Sequence, residues 1–267
     1  MPDLRHNKER EDDFVLQKER HAQIIAKLNL EGQVRVKNLS QDFCVTEDCI
    51  RKDLTYLEKQ GRLKRVHGGA TQIRKNPHTP HVVERMSVCS EEKKEIAKKA
   101  IELIEPGTTV FLGISTICLE IAKLIYQKDL RITLVTNMVD IMKMFMNETN
   151  TELIFIGGSF NQAKDGFSGP LAIEQIKNFK FDLSFLGVVG IDAYDGKVTT
   201  YEAMDGLTKK EVLNSSKQVY MVAESAKLNQ DGNYVFANVA DFTGMISESA
   251  MEIHKKEKLL RFEIDIL

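Results

Sequence analysis

The stretch from Val34 to Ala70, VRVKNLSQDFCVTEDCIRKDLTYLEKQGRLKRVHGGA, constrains this chain more than any other. Within it Ile50, Leu54 and Leu57 recur at i, i+4 and i+7, one apolar stripe at the helical period. The opposite face carries Asp48, Lys52, Thr55 and Lys59, with Arg51 on its flank. Thr46 stands where a hydroxyl accepts a first-turn N–H. Glu47 and Asp48 follow it, at the positive end of the helix dipole. Gly61 ends the helix. A shorter helix, with Leu39 and Phe43 four apart, precedes it across a turn at Cys44-Val45. Val34 and Val36 alternate with polar residues, as a short strand would. After the second helix, Gly68-Gly69 suits the positive φ angles of a tight hairpin, with arms Leu63 to Val66 and Ala70 to Ile73. Strand, helix, turn, helix and basic hairpin together suit a DNA major groove, the hairpin lying along the phosphates as a wing. An amphipathic surface helix with solvated charges is the plainer reading of the helix taken alone.

Charge supports the first reading. Between Arg51 and Lys75 eight Lys and Arg residues face only Asp53 and Glu58, in a chain of formal net charge −2. That is a confined polyanion-binding patch, not a polycation. Arg51, Lys52 and Thr55 are the expected groove contacts, and the Arg51 fork matches guanine O6 and N7. Thr46 and the first-turn amides are placed to hold a phosphate. Arg62, Lys64, Arg65 and His67 are the expected wing contacts. Asp48, Cys49 and Lys59 complete the expected DNA-binding set, and Asp53 is expected to buttress the helix.

Met1 to Asp13 reads as a solvated tail. From Phe14 the pattern is helical, with Ile24, Ile25 and Leu28 inward and Gly32 as the stop. Pro77 and Pro80 mark Arg74 to Ser90 as a linker. Beyond Ser90 the rhythm changes. EEKKEIAKKAIELI reads as a helix, TTVFLG as a strand, TICLEIAKLIY as a helix, RITLVT as a strand, MVDIMKMFM as a helix and ELIFIG as a strand. A looser region follows, then strand DLSFLGVVGI, a helix over Glu202 to Ser215 and strand QVYMVA. A strand near Phe242 to Ile246, a helix near Glu248 to Lys258 and strand RFEIDI close the chain. Alternating strands and helices with unbroken apolar runs predict an α/β domain with a mostly parallel sheet. The expected division is tail 1–13, winged helix-turn-helix 14–73, linker 74–90 and α/β domain 91–267.

Cys44, Cys49, Cys89 and Cys118 form no C-x-x-C pair, so structural zinc and any other metal site are not expected. The start, MPDLRHNKEREDD, lacks an apolar core for a secretory leader. No run approaches the ~18–20 apolar residues that cross a bilayer. A cytoplasmic, thiol-reduced protein without a membrane partner is expected.

The segment VTEDCIRKDLTYLEKQGRLKRVHGGA closely resembles the DNA-binding signature of the DeoR family of bacterial transcription regulators. The resemblance continues through Val135-Thr136-Asn137, Ile156-Gly157-Gly158, Ser168-Gly169-Pro170, Gly190-Ile191-Asp192, Thr199-Thr200, Lys209 and Ser225-Ala226-Lys227. It implies a sensor domain whose fold is similar to phosphosugar isomerases and CoA transferases. It also implies a repressor of carbohydrate-metabolism genes, a homodimer or homotetramer on double-stranded operator DNA, and a small-molecule effector, not a cofactor. The chain departs from the pattern at several points. Gly113-Ile114-Ser115-Thr116-Ile117 stands where the family has an Asp-x-Gly-(Ser/Thr)-Thr loop. Glu224 replaces an Asp, Gly206 an Ala-type residue, Cys44 a turn Gly and Cys49 a Thr.

Ligands of open parallel sheets sit beyond the carboxyl ends of the strands. Gly113, Ser115 and Thr116 lie at such an end where a helix begins, and hydroxyls with free N–H groups there suit a phosphate. Thr136 and Asn137 hold the matching end of the next strand. Lys209 and Lys227 supply positive charge, and Gly158 and Gly190 complete the expected effector-binding set. The effector expected is a phosphorylated sugar or related metabolite. Simple capping by Ser115 and Thr116 beside solvated lysines is the alternative. An isomerase-like enzyme is the rival class, and it requires a positioned acid and base. The sensor has one histidine, His254, and Glu202, Asp192 and Asp205 are its possible bases. No catalytic residue is assigned, and a DNA binder that has lost its ligand is the third reading.

Overall fold

The computed structural model describes residues 17–28, 31–73, 91–161, 163 and 165–267. The expected tail, the helix start at Phe14 and the linker lie outside these residues. The chain divides into two compact units, Met1–Arg74 and Lys75–Leu267.

In the first unit a helix α1 covers 17–28. Strand β1 (Gln33–Arg35), helix α2 (Val36–Asp42), helix α3 (Glu47–Lys59) and strands β2 (Lys64–Val66) and β3 (Gly69–Thr71) follow. The strands form an antiparallel sheet in the order β1-β3-β2. Val36 opens α2 and does not extend the strand. The α3 stripe is inward as its spacing requires: Ile50, Leu54 and Leu57 are buried with Ile24, Leu28, Leu39 and Leu63. Truncating one such side chain, Leu54→Ala for instance, costs about 3 kcal/mol. Cys44 takes the left-handed turn conformation at φ 53°, a strain of about 1 kcal/mol for a non-glycine residue. The hairpin is shorter than the expected arms, and its turn is His67-Gly68. Only Gly68 has positive φ, at 77°. Gly69 belongs to β3, where a Cβ would come 2.0 Å from Val34 O. Its role is close approach to β1, not the turn.

The second unit runs through α4 (Glu91–Ile101), β4 (Thr109–Leu112), α5 (Thr116–Lys128), β5 (Thr133–Thr136), α6 (Val139–Met144) and β6 (Glu152–Phe155). Next come β7 (Ser159–Phe160), β8 (Phe167–Ser168), α7 (Pro170–Ile176), β9 (Phe181–Gly187), β10 (Gly190–Ile191), β11 (Lys197–Thr200) and α8 (Ala203–Asn214). Strand β12 (Ser216–Val222), a 3-10 turn (Ser225–Asn229), β13 (Tyr234–Asn238), β14 (Gly244–Ile246), α9 (Ile253–Leu260) and β15 (Asp265–Ile266) complete it. Seven strands form one parallel sheet in the order β15-β14-β12-β9-β4-β5-β6. Alternate residues serve two cores. Val110 and Leu112 pack with α4, α5 and α6, while Phe111 joins Ala172, Val212 and Phe236 in the other. From β4 the chain first builds outward through β5 and β6, then returns to β9 on the other side of β4. That reversal opens a crevice at the carboxyl ends of β4 and β9.

Four expectations change here. DLSFLGVVGI is not one strand: after Gly187 the chain leaves the parallel sheet, and Gly190-Ile191 pairs antiparallel with β11 in a small sheet β10-β11-β13. The looser region contains a hairpin, β7-β8, and the helix α7. The last helix begins at Ile253, because Glu248 is drawn inward to accept from Ser225 N and Ser247 Oγ. The final strand is only Asp265–Ile266.

Candidate functional sites

The first candidate is the exposed face of α3 with the hairpin. Thr46 Oγ1 accepts from Cys49 N at 3.2 Å and caps the helix. Asp48, Arg51, Lys52, Thr55, Tyr56 and Lys59 line one shallow depression on that face. Lys52, Lys59, Arg62 and Lys64 are exposed and enter no ion pair among the described residues. His67 is exposed at the hairpin turn. Arg65 is tied down: its backbone N–H donates to Glu58 Oε1 at 2.7 Å and its Nη1 to Thr55 Oγ1 at 2.8 Å. Thr55 donates in turn to Arg51 O at 2.7 Å. Hairpin and helix are therefore joined side chain to side chain.

Beneath this face lies a buried ionic knot. Asp53 is 1% exposed. Its oxygens take Arg20 Nε at 2.6 Å and His21 Nε2 at 2.8 Å, both from α1. Burial alone would push the Asp53 carboxyl up. The hydrogen bonds from Arg20, His21 and Gln17, with the Arg20 charge, outweigh it and hold it below the usual carboxylate value. Cys49, expected on the DNA side, is half-buried and accepts from Arg20 Nη2 at 3.3 Å. The His21 ring stacks on Tyr56 at 5.0 Å. Asp53 is thus the buttress its sequence position implied.

The second candidate is a cavity of about 380 Å³ at the strand-order reversal of the larger unit. Ile114 to Ile117 enter from the end of β4, Gly187 to Val189 from β9, and Val222 to Glu224 from β12. Ser115 caps α5 by accepting from Cys118 N at 3.0 Å. A Cβ at Gly187 would meet the Ser115 Cβ at 2.2 Å, so glycine there lets this turn sit against the sheet. Lys209 is 6% exposed and donates to Asp205 Oδ2 at 2.7 Å, which also accepts from Thr200 Oγ1 at 2.5 Å. Lys227 lines the cavity from the 3-10 turn, and Lys93 from α4. Burial pushes the Cys118 thiol up to about 11, so it is a packed group and not a nucleophile.

Of the expected effector set, Ser115, Thr116, Lys209 and Lys227 meet in this cavity, while Gly113, Thr136, Asn137, Gly158 and Gly190 do not line it. Each is held within the fold beside it. Gly113 N donates to Phe185 O, Thr136 Oγ1 to Leu112 O and Asn137 Nδ2 to Phe167 O. Gly158 packs under Ser168 O, and Gly190 under Gln230 O. Lys93, Asn161, Asp165 and Tyr201 line the cavity without having been singled out from the sequence.

Comparison with known proteins matches both units of the chain to one family. The family model of the DeoR-like helix-turn-helix domain matches residues 20–76, and that of the DeoR C terminal sensor domain matches residues 88–249. The chain belongs to the DeoR family. The HTH-type transcriptional regulator YulB of Bacillus subtilis is 32% identical over 89% of this chain and 91% of its own length. The glycerol-3-phosphate regulon repressor of Escherichia coli is 31% identical over 80% of this chain and 84% of its own. Among solved structures, ribose 5-phosphate isomerase A of Methanocaldococcus jannaschii shares 16% identity at a TM-score of 0.37, over 51% of this chain and 52% of that one. This DeoR-family chain is a DNA-binding transcriptional regulator.

One departure from the DeoR pattern has a direct physical account. A Cβ at Gly206 would fall 2.4 Å from the Tyr234 ring, so the Tyr234 packing requires the smaller residue. Ile114, in the altered loop, fills space against Gly166, where a Cβ would come 2.5 Å from Ile114 Cδ1. No helix among the described residues is long and apolar enough to cross a membrane.

Proposed function

We propose that this regulator represses carbohydrate-metabolism genes and that a phosphorylated sugar or related metabolite, held in the switch-point cavity, sets its affinity for operator DNA. The reading rests above all on the convergence of Ser115 and Thr116, at a helix start, with Lys93, Lys209 and Lys227 around one cavity. Helix-start amides and ammonium groups suit a phosphate ester, and the Thr200, Tyr201 and Asn161 side chains at the same cavity suit sugar hydroxyls. One relative is named for the glycerol-3-phosphate regulon, itself defined by a phosphate ester. The effector opposes DNA binding by linkage, preferring an arrangement that the operator does not. The protein acts in the cytoplasm as a homodimer or homotetramer on paired half-sites. It needs no cofactor.

A thermal-shift screen against phosphorylated pentoses, hexoses and trioses tests this. A true effector at a hundred times its Kd adds about 2.7 kcal/mol of stability and lowers affinity in an operator gel shift. If no compound in the panel changes either measurement, the effector class is wrong. Glu202 and Asp205 at the cavity keep an isomerase-like enzyme as the second reading. Asp205 is committed to Lys209 and Thr200, which is why the sensor is read as non-catalytic. Turnover of a phosphorylated pentose or hexose by the purified chain would reverse that choice.

A further inference from the structure

Arg51 already has partners that DNA must displace. Its Nη1 donates to Asp48 Oδ1 at 2.6 Å and its Nη2 to Glu47 Oε2 at 2.5 Å. Both tips of the fork are thus held by carboxylates one turn toward the helix start. All three side chains are solvated, at 49%, 46% and 81% exposure for Arg51, Glu47 and Asp48, so each pair is weak and readily exchanged. The triad carries a net negative charge. It stands on a face whose other cations, Lys52, Lys59, Arg62 and Lys64, enter no ion pair among the described residues. A surface shaped for affinity alone would not carry two carboxylates beside a phosphate backbone, which they repel.

We infer that Glu47 and Asp48 are specificity-determining residues, which withhold Arg51 from phosphates and release it to a guanine. The inference rests on the DNA-binding reading of α3. A phosphate offers Arg51 acceptors but leaves both carboxylates facing further negative charge. A G·C pair satisfies both sides of the clamp. Guanine O6 and N7 take the fork, and the cytosine N4 amine donates to the freed carboxylate of Asp48. An A·T pair offers Arg51 the adenine N7 acceptor without the O6 beside it, so the clamp reopens at a loss. Penalising wrong partners in this way separates selectivity from grip.

The full chain, its E47Q/D48N variant and R51A are each used to select sites from a random duplex pool, and each is titrated against non-specific duplex over a range of salt. E47Q/D48N is expected to bind non-specific duplex about tenfold tighter, with a salt slope steeper by about one. Its discrimination at one G·C pair per half-site is expected to fall roughly tenfold. R51A should lose the same preference without the gain in non-specific binding. Unchanged selected sites with unchanged non-specific affinity overturn the inference. So does a lower melting temperature with the base preference intact, since acids that merely stabilise a helix start give that result. If the unmodified chain retains no duplex from the pool, the DNA-binding reading falls, and this inference with it.

Discussion

On the reading face Lys52, Lys59, Arg62 and Lys64 stand in solvent without ion pairs among the described residues, whereas Lys209 in the sensor cavity is buried and bonded to Asp205 at 2.7 Å. On the function proposed above, the difference follows from what each cation would meet. A duplex presents many similar phosphates, so loosely held, solvated charges suffice, and each adds a little to affinity. A small effector presents one or two groups, so its partners must be fixed in advance, and the network that fixes them becomes part of the fold. Charge on the first face should therefore be removable without unfolding, and charge in buried networks should not.

The strongest test lies under the reading face. Asp53→Ala removes the buried carboxylate that Arg20 and His21 bond and should cost roughly 3–5 kcal/mol in urea unfolding. A loss below 1 kcal/mol would break the contrast between buried and exposed charge. The same carboxylate gives a pH signature. Its folded value lies below its ordinary one. Its contribution to stability is therefore complete above the ordinary carboxylate range and is lost as the pH falls through the depressed folded value. Acid unfolding followed in parallel with Asp53→Asn should show this component missing from the variant. Next in size, Lys209→Met leaves Asp205 without its ammonium partner and should cost about 2 kcal/mol. It should also abolish any thermal shift given by a sugar phosphate. The smallest effect is expected at Lys64→Ala. Stability should change by less than about 0.5 kcal/mol. DNA affinity should fall by about 1 kcal/mol for all sequences, and the salt slope should drop by about one. A sequence-dependent loss there would move Lys64 from the backbone to the bases.

What the sequence discloses follows the strength of local periodicity. Ile50, Leu54 and Leu57 define α3 because one stripe repeats over several turns, and the central strands of the parallel sheet appear as short unbroken apolar runs such as Val110 to Leu112. The small sheet escapes. Lys197–Thr200 and Tyr234–Asn238 are short and of mixed polarity, and their pairing is a long-range event. Helix α7 hides behind Gly169-Pro170, which reads as a turn although proline is well suited to a first helical position. At the sites, Ser115 and Thr116 carry a strand-end signal. Lys93 sits in the run EEKKEIAKK, which looks like a solvated face, and only the packing of α4 turns that one lysine inward. Asn161 and Asp165 likewise reach the cavity through the β7-β8 hairpin, where no residue pattern announces them.

The Thr55 hydroxyl, placed between the Arg51 carbonyl and the Arg65 guanidinium, makes a single inherited letter answerable for two traits. A descendant that substitutes valine keeps the bulk and forfeits the side-chain tether to Arg65, leaving only the Glu58 bond to its backbone, since no methyl replaces a hydrogen bond. Drift toward new operators is therefore freer at Lys52, which has no such obligation, and paralogues of this chain should diverge there first.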